Sequence, residues 1–331
     1  MNKNIAIFVG LLFVGQLRAA NYTAEKISAE GGEAVRLGDA AKGVVVSISP
    51  GAGNKIYALS VHGKEILASG GIPFLAPWAN RLDQDAFWAN GKKYILNPGL
   101  NAVRYDNNHL PIHGLLDKAV WTVTGLKANK DHAEVTAELQ FWRHPDWMAQ
   151  FPFAHKITMT HRLHEGVLEV ETKIDNLSDD AMPISVGYHP WFQLSGIPRD
   201  EWKLHLAARK HVKLSKTKIP TGEDEPISFP NPLALKSVQL DDILGDLVRD
   251  EHGQATFSID GNGPKISVIF GPKYRNAVVY APPGREVVCI EPMSGPTNAF
   301  NLAHEGKYPD LQSVPPRGAW QESFRIQAEG F

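Results

Sequence analysis

A glutamate at position 291 follows the apolar run Val287-Val288-Cys289-Ile290 and precedes Pro292 and a Gly/Pro turn. A run so rich in β-branched residues reads as a buried strand. Pro292 has no N–H to give a sheet ladder, so regular pairing is expected to stop there. The chain thus brings one carboxylate to the end of a strand and turns away. Apolar neighbours raise a carboxyl pKa and suit it to proton transfer near neutral pH. The plainer alternative is a strand-end glutamate facing solvent or paired with Arg285.

Three loop-like segments carry further polar groups in apolar settings. In Gly71-Ile72-Pro73-Phe74-Leu75-Ala76-Pro77-Trp78-Ala79-Asn80-Arg81, two prolines and a tryptophan make a stiff approach to an Asn-Arg pair. Arg81 offers a fork of donors suited to hydroxyl oxygens or a carboxylate. It could equally be a structural arginine tied to backbone carbonyls. In Asn107-Asn108-His109-Leu110-Pro111-Ile112-His113-Gly114, His113 stands before a glycine that lets backbone or ligand approach closely; the alternative is a turn histidine. In Gly187-Tyr188-His189-Pro190-Trp191-Phe192, a histidine is followed by proline and two large aromatics. Aromatic faces beside polar groups, Trp191 among them, suit a sugar ring with apolar C–H faces and hydroxyl edges. The alternative is a core aromatic cluster with one satisfied histidine.

The elements that must position these groups read as β-structure from Val35 onward. Short alternating or apolar runs recur at Val44–Ser49, Ala58–Val61, Trp121–Thr124, Ala133–Phe141, Ile157–Leu163, Val167–Ile174 and Met182–Val186. They continue at Lys203–Ala207, Gln254–Asp260, Lys265–Phe270 and Asn276–Tyr280, with turn clusters between them. Many short strands at regular intervals predict an all-β antiparallel sandwich. Helical periodicity is confined to the N-terminus and to Leu240–Leu247. No repeat of propeller length is present.

Composition narrows the class further. The chain has 331 residues, 43% of them hydrophobic, enough for a large core. No Pro/Ser linker or charge block marks a domain boundary, so residues 21–331 are expected to form one β-domain. A net charge of -2 gives no basic field for nucleic acid or an anionic membrane. The one cysteine, Cys289, excludes an intrachain disulfide; in an apolar strand it is expected to be a buried, inert thiol. Residues 1–20 carry Lys3, an apolar stretch from Ile5 to Val14 and small residues at Ala19-Ala20. That layout reads as a secretory signal peptide, too short for a comfortable membrane span. The mature chain is then expected to start near Asn21, in the periplasm or outside the cell, and to be free of the membrane.

Taken in order, these segments resemble the aldose 1-epimerase (mutarotase) family from about Val44 to Ile326. The resemblance rests on PWANR at Pro77–Arg81, HG at His113-Gly114, FPF at Phe151–Phe153, the MP ahead of GYHPWF at Gly187–Phe192, CIEP at Cys289–Pro292, and Trp320–Ile326. It implies an antiparallel β-supersandwich with its site on a concave face, and cofactor-free interconversion of the α and β anomers of a free aldose. By the same resemblance Glu291 is the catalytic base and His189 the catalytic acid. Asn80, Arg81 and His113 bind substrate, as does an aspartate best matched by Asp241, with Asp242 the alternative. No metal is expected: His161 and His164 should face opposite sides of a strand, and no HExxH motif or glycine-rich phosphate loop occurs. A glutamine of galactose-type members has no clear match, Tyr280-Ala281-Pro282-Pro283 standing in its place. Two other outcomes stay open: a non-catalytic carbohydrate-binding sandwich, and an enzyme of the hexose 6-phosphate branch.

Overall fold

The alternation in the longest strands sets the architecture. In His155–His164 and Val167–Asn176, every second side chain is buried while those between stay partly exposed. One face therefore packs on a core, as a period of two requires. The inward set includes Ile157, Met159, Leu163, Leu168, Val170 and Ile174. On the outer face, Arg162 donates to both Glu134 and Glu169, tying three neighbouring strands together. His161 is buried and His164 exposed, as the odd spacing predicts.

These strands are the middle of a nine-stranded antiparallel sheet in a computed structural model that describes residues 21–331 other than 30, 31, 101 and 237. The predicted leader lies outside the described residues. A second, eight-stranded sheet places Pro220–Pro226, Ala208–Leu214, Leu240–Leu247, Asn276–Ala281, Val288–Met293, Gly187–Tyr188 and Phe74–Leu75 side by side, with Trp191–Phe192 also on Val288–Met293. An N-terminal five-stranded meander runs from Tyr22 to Glu65. One core cluster holds residues from all three, Val46 and Ile48 from the meander, Val170 and Phe324 from the large sheet, Val279 and Ile290 from the second. Tyr188 ties the two large sheets directly. Its ring lies 4.7 Å from that of Phe324, and its hydroxyl hydrogen-bonds the buried Thr172 hydroxyl.

The second sheet departs from expectation in two places. Leu240–Leu247 is a strand, not a helix. Its apolar residues mimic helical spacing because both faces are covered: Leu240 and Leu244 point into the main core, whereas Ile243 joins a small cluster on the opposite face with Leu75, Ala79, Val212, Val278 and Met293. The Val288–Met293 strand also runs through Pro292, which faces Ala277. The ladder survives the missing donor because Met293 is bridged on both sides, to Asn276 and to Gly187.

Candidate functional site

All six residues of Val288–Met293 are buried. Val288 and Ile290 enter the main core, and alternation turns Cys289, Glu291 and Met293 to the other face. Glu291 is 1% exposed there. Its Oε1 lies 3.2 Å from His189 Nε2, and its buried Oε2 has no hydrogen-bond partner among the described residues. The alternative pairing with Arg285 is not formed: that guanidinium lies 5.3 Å from the centre of the Trp191 ring.

His189 follows Gly187–Tyr188, and its backbone N–H donates to Pro73. Its ring stacks on Trp191 at 4.8 Å and 11°, and meets His113 edge-on at 5.5 Å. The tryptophan is therefore a wall of the site rather than part of the core. His113 adopts φ +62°, with its N–H on the Asn80 carbonyl. The following Gly114 explains the tight approach: a Cβ there would lie 2.0 Å from the Ala76 oxygen. Gly70, Pro73, Leu75, Arg104, His113, Asp117, His189 and Trp191 line a cleft of about 210 Å³.

Arg81 is held by side chains, not by backbone carbonyls. Its Nε donates to Asp106 at 2.7 Å and Nη1 to Asn80 Oδ1 at 3.2 Å. Asp106 also accepts the N–H groups of Asn108 and Leu110, so the carboxylate is fixed before it fixes the arginine. From the far end of the chain, Asn298 and Asn301 clasp the same loop. The Asn298 N–H donates to the Arg81 carbonyl, the Asp83 N–H to Asn298 Oδ1, and Asn301 Nδ2 to the Asp83 carboxylate. Replacing Arg81 with alanine should leave the fold intact and weaken sugar binding by about 1.5–3 kcal/mol, the usual loss for a hydrogen bond to a charged group. Calorimetric titration with an aldose, alongside a melting curve, checks this. A large fall in melting temperature with unchanged affinity would make Arg81 purely structural.

The two aspartates separate clearly. Asp241 shares a side of the sheet with Ile243, next to Tyr280, and its charge is felt by Glu291. Its carboxylate lies 3.5 Å from Lys218 Nζ. Asp242 turns away and contacts His211 Nε2 at 2.8 Å. Glu291, His189, His113, Asn80, Arg81, Trp191 and Asp241 thus converge, and Asp242 does not. Arg104, Asp106, Asp117 and Tyr280 belong to the surroundings without having been singled out by sequence. Asp106 had a legible signal: Asp-Asn-Asn before a proline is a turn whose carboxylate binds nearby backbone.

Burial sets the electrostatics. It pushes the Glu291 carboxyl well above its ordinary range, with the Asp241 charge adding and Arg81 opposing. Burial pulls His189 down to about 4; a hydrogen bond to its own backbone partly offsets this, and Arg104 and Arg81 deepen it. His113 is also held well below its ordinary value, first by burial and then by the charges of His189, Arg104 and Arg81. Glu291 and His189, in contact, titrate as a coupled pair, so their protonation steps belong to the pair rather than to either residue.

An antiparallel β-supersandwich that carries a buried carboxyl–imidazole contact fits a carbohydrate epimerase. The chain belongs to the aldose 1-epimerase family, whose model matches residues 34–327. It is 25% identical over 238 residues to the uncharacterised Escherichia coli protein YihR, a match covering 69% of this chain and 70% of that one. A galactose mutarotase-like protein from Clostridium acetobutylicum shares the fold with a TM-score of 0.84 at 20% identity, covering 95% of this chain and 100% of the other. Galactose 1-epimerase from Lactobacillus acidophilus does so with a TM-score of 0.73 at 14% identity, over 95% and 100% of the two chains.

Proposed function

We propose that the protein interconverts the α and β anomers of a free aldose by acid–base opening and reclosure of the sugar ring. The observation that carries this reading is the buried contact of 3.2 Å between Glu291 and His189, the latter lining the cleft. The two oxygens that exchange a proton in mutarotation, O1 and the ring O5, are both bonded to C1. Acid and base must therefore stand side by side, unlike the carboxyls of glycosidases, which flank a bond at about 5–9 Å.

With O1 of the sugar against Glu291 and O5 against His189, Glu291 as carboxylate takes the proton from O1–H while protonated His189 gives one to O5. The C1–O5 bond breaks with its electron pair going to O5, and C1=O1 forms. Rotation about C1–C2 presents the other face of the aldehyde, and the reverse transfers close the ring and restore both groups. Arg81 and His113 contribute donors to the hydroxyls, and Trp191 the apolar wall. Burial is the largest influence on both groups; against it the Arg81 charge favours the ionised carboxylate, while Arg104 and Arg81 oppose the protonated imidazole.

A binding-only sandwich has no need of an acid buried against an imidazole, which favours the enzyme over the non-catalytic reading. Polarimetry with freshly dissolved α-glucose, α-galactose and their 6-phosphates is the direct test. Enzyme should speed the drift to equilibrium for a free sugar; no acceleration with any of the four, in a protein that still binds sugar, returns the reading to a carbohydrate-binding protein. We further propose that residues 1–20 act as a leader for export of the mature chain. N-terminal sequencing of exported protein should start near Asn21; an intact Met1 would overturn export by cleavage.

A further inference from the structure

Acid–base chemistry makes no use of Cys289, yet its thiol lies in the same small space. Cys289 and Glu291 share a strand face, and Trp191 sits opposite Cys289, which brings His189 over both. One donor atom each from His189, Cys289 and Glu291 falls within 4.8 Å of the others. We propose that this cluster is a binding site for a thiophilic divalent cation, zinc above all, which excludes the sugar and switches the enzyme off. The inhibition rests on the anomer-interconverting function proposed above; the binding does not.

The donor set selects the ion. Thiolate, imidazole and carboxylate together suit zinc, whereas magnesium and calcium take oxygen ligands. The existing gap of 3.2 Å between Glu291 Oε1 and His189 Nε2 is close to the roughly 3.4 Å that separates two ligands on a tetrahedral zinc. Closing the rest of the triangle needs side-chain shifts of under about 1 Å. Glu291 Oε2, buried and without a partner among the described residues, leaves the carboxylate free to turn toward an ion. Three protein ligands leave the fourth position to water from the cleft.

The charges also balance. Thiolate, carboxylate and neutral imidazole together carry two negative charges, which a divalent cation neutralises, and any protons these groups hold leave as it binds. Asp241 faces the cluster with negative charge, and Arg81 and Arg104 face it with positive charge. With their lone pairs on metal, neither Glu291 nor His189 can serve the sugar.

The mature protein, stripped with chelator, is titrated with cobalt as a spectroscopic stand-in and with zinc. One cobalt per chain with a near-ultraviolet thiolate-to-metal band is expected, and zinc should abolish mutarotation in a way chelator reverses and magnesium does not reproduce. Cys289→Ser should keep mutarotation, lose the band and raise the zinc midpoint at least about tenfold, since even residues behind metal ligands cost that much. Cys289→Ala serves if the serine variant fails to fold. A missing thiolate band, or zinc inhibition unchanged in the cysteine variants, overturns the site. A protein inactive toward every sugar that still shows the Cys289-dependent band refutes the enzymatic reading alone.

Discussion

Glu291→Gln is expected to slow mutarotation by about 10²–10⁴-fold while sugar binding survives, because the amide keeps the shape but accepts no proton. His189→Asn should fall into the same range by removing the donor to O5. Both groups act in one exchange, so the double variant should lose much less than the sum of the single losses on a free-energy scale. The wild-type rate should be bell-shaped in pH. As pH falls, the pair takes a second proton and the base is gone; as pH rises, it loses its only proton and the acid is gone. Each limb belongs to the pair, not to one residue. Polarimetric rates for the four proteins across pH decide the matter, and a Glu291→Gln enzyme with near wild-type rate at every pH would sink the assignment. Stability supplies an independent readout. The folded chain raises the Glu291 pKa above its ordinary 4.5. Its contribution to stability is therefore fully present below that value and lost as pH rises through the folded one. Glutamine carries no such penalty, so the melting temperature of Glu291→Gln should gain on wild type between pH 4 and pH 8. Functional sites commonly cost stability in this way.

Gly114→Ala should be the most damaging small change near the cleft. The residue has φ +68°, and a Cβ would sit 2.0 Å from the oxygen and 2.3 Å from the carbonyl carbon of Ala76. Both are backbone atoms of a segment fixed by the Leu115 N–H donating to that same oxygen. Left-handed strain and overpacking together should cost about 3 kcal/mol or more. His113, one residue earlier, would move with the backbone, so affinity for the sugar should fall too. Gly63→Ala separates the two causes: φ is +80° there, but nothing lies within 4 Å. It should lose only about 1 kcal/mol, the strain alone. Equal melting temperatures for the two variants would refute the clash.

The sheets and the converging site residues were largely readable from sequence, for a physical reason. Alternation in strands such as Val167–Asn176 survives because one face is buried and the other wet. Where burial changes, the pattern misleads. Leu240–Leu247 looked helical because both faces of the strand are covered. Pro220–Pro226 went unread because it is an edge strand, mostly exposed, rich in acids and bounded by prolines, the features that keep an edge from pairing further. Tyr22–Ala29 likewise has few buried side chains to give it a period. Pro292 looked like the end of a strand, and only the second bridge to Gly187 keeps the ladder going. In the site, ordered motifs identified Glu291, His189, His113 and Arg81. Asp106 was legible as a turn residue, but nothing in the sequence tied it to the arginine it holds 25 residues away. Cys289 was read as buried, which it is, but alternation around Glu291 also places it on the site side, beside reactive groups.

The clasp of Asn298 and Asn301 on the Arg81 loop has a consequence for how the protein is made. Asn298 lies 215 residues beyond Asp83, and Asn301 lies 218 beyond it. During synthesis the arginine loop emerges early and waits for most of the chain before these partners exist. Contacts of such sequence separation close late, since the entropy of the intervening loop must be overcome first. The binding loop is thus among the first functional parts translated and among the last locked. The same holds for the scaffold: a nascent or truncated chain ending before Asn298 would lack both the clasp and Ala319–Glu329, the strand that joins the two halves of the nine-stranded sheet, so loop and sandwich are set together at the end of synthesis.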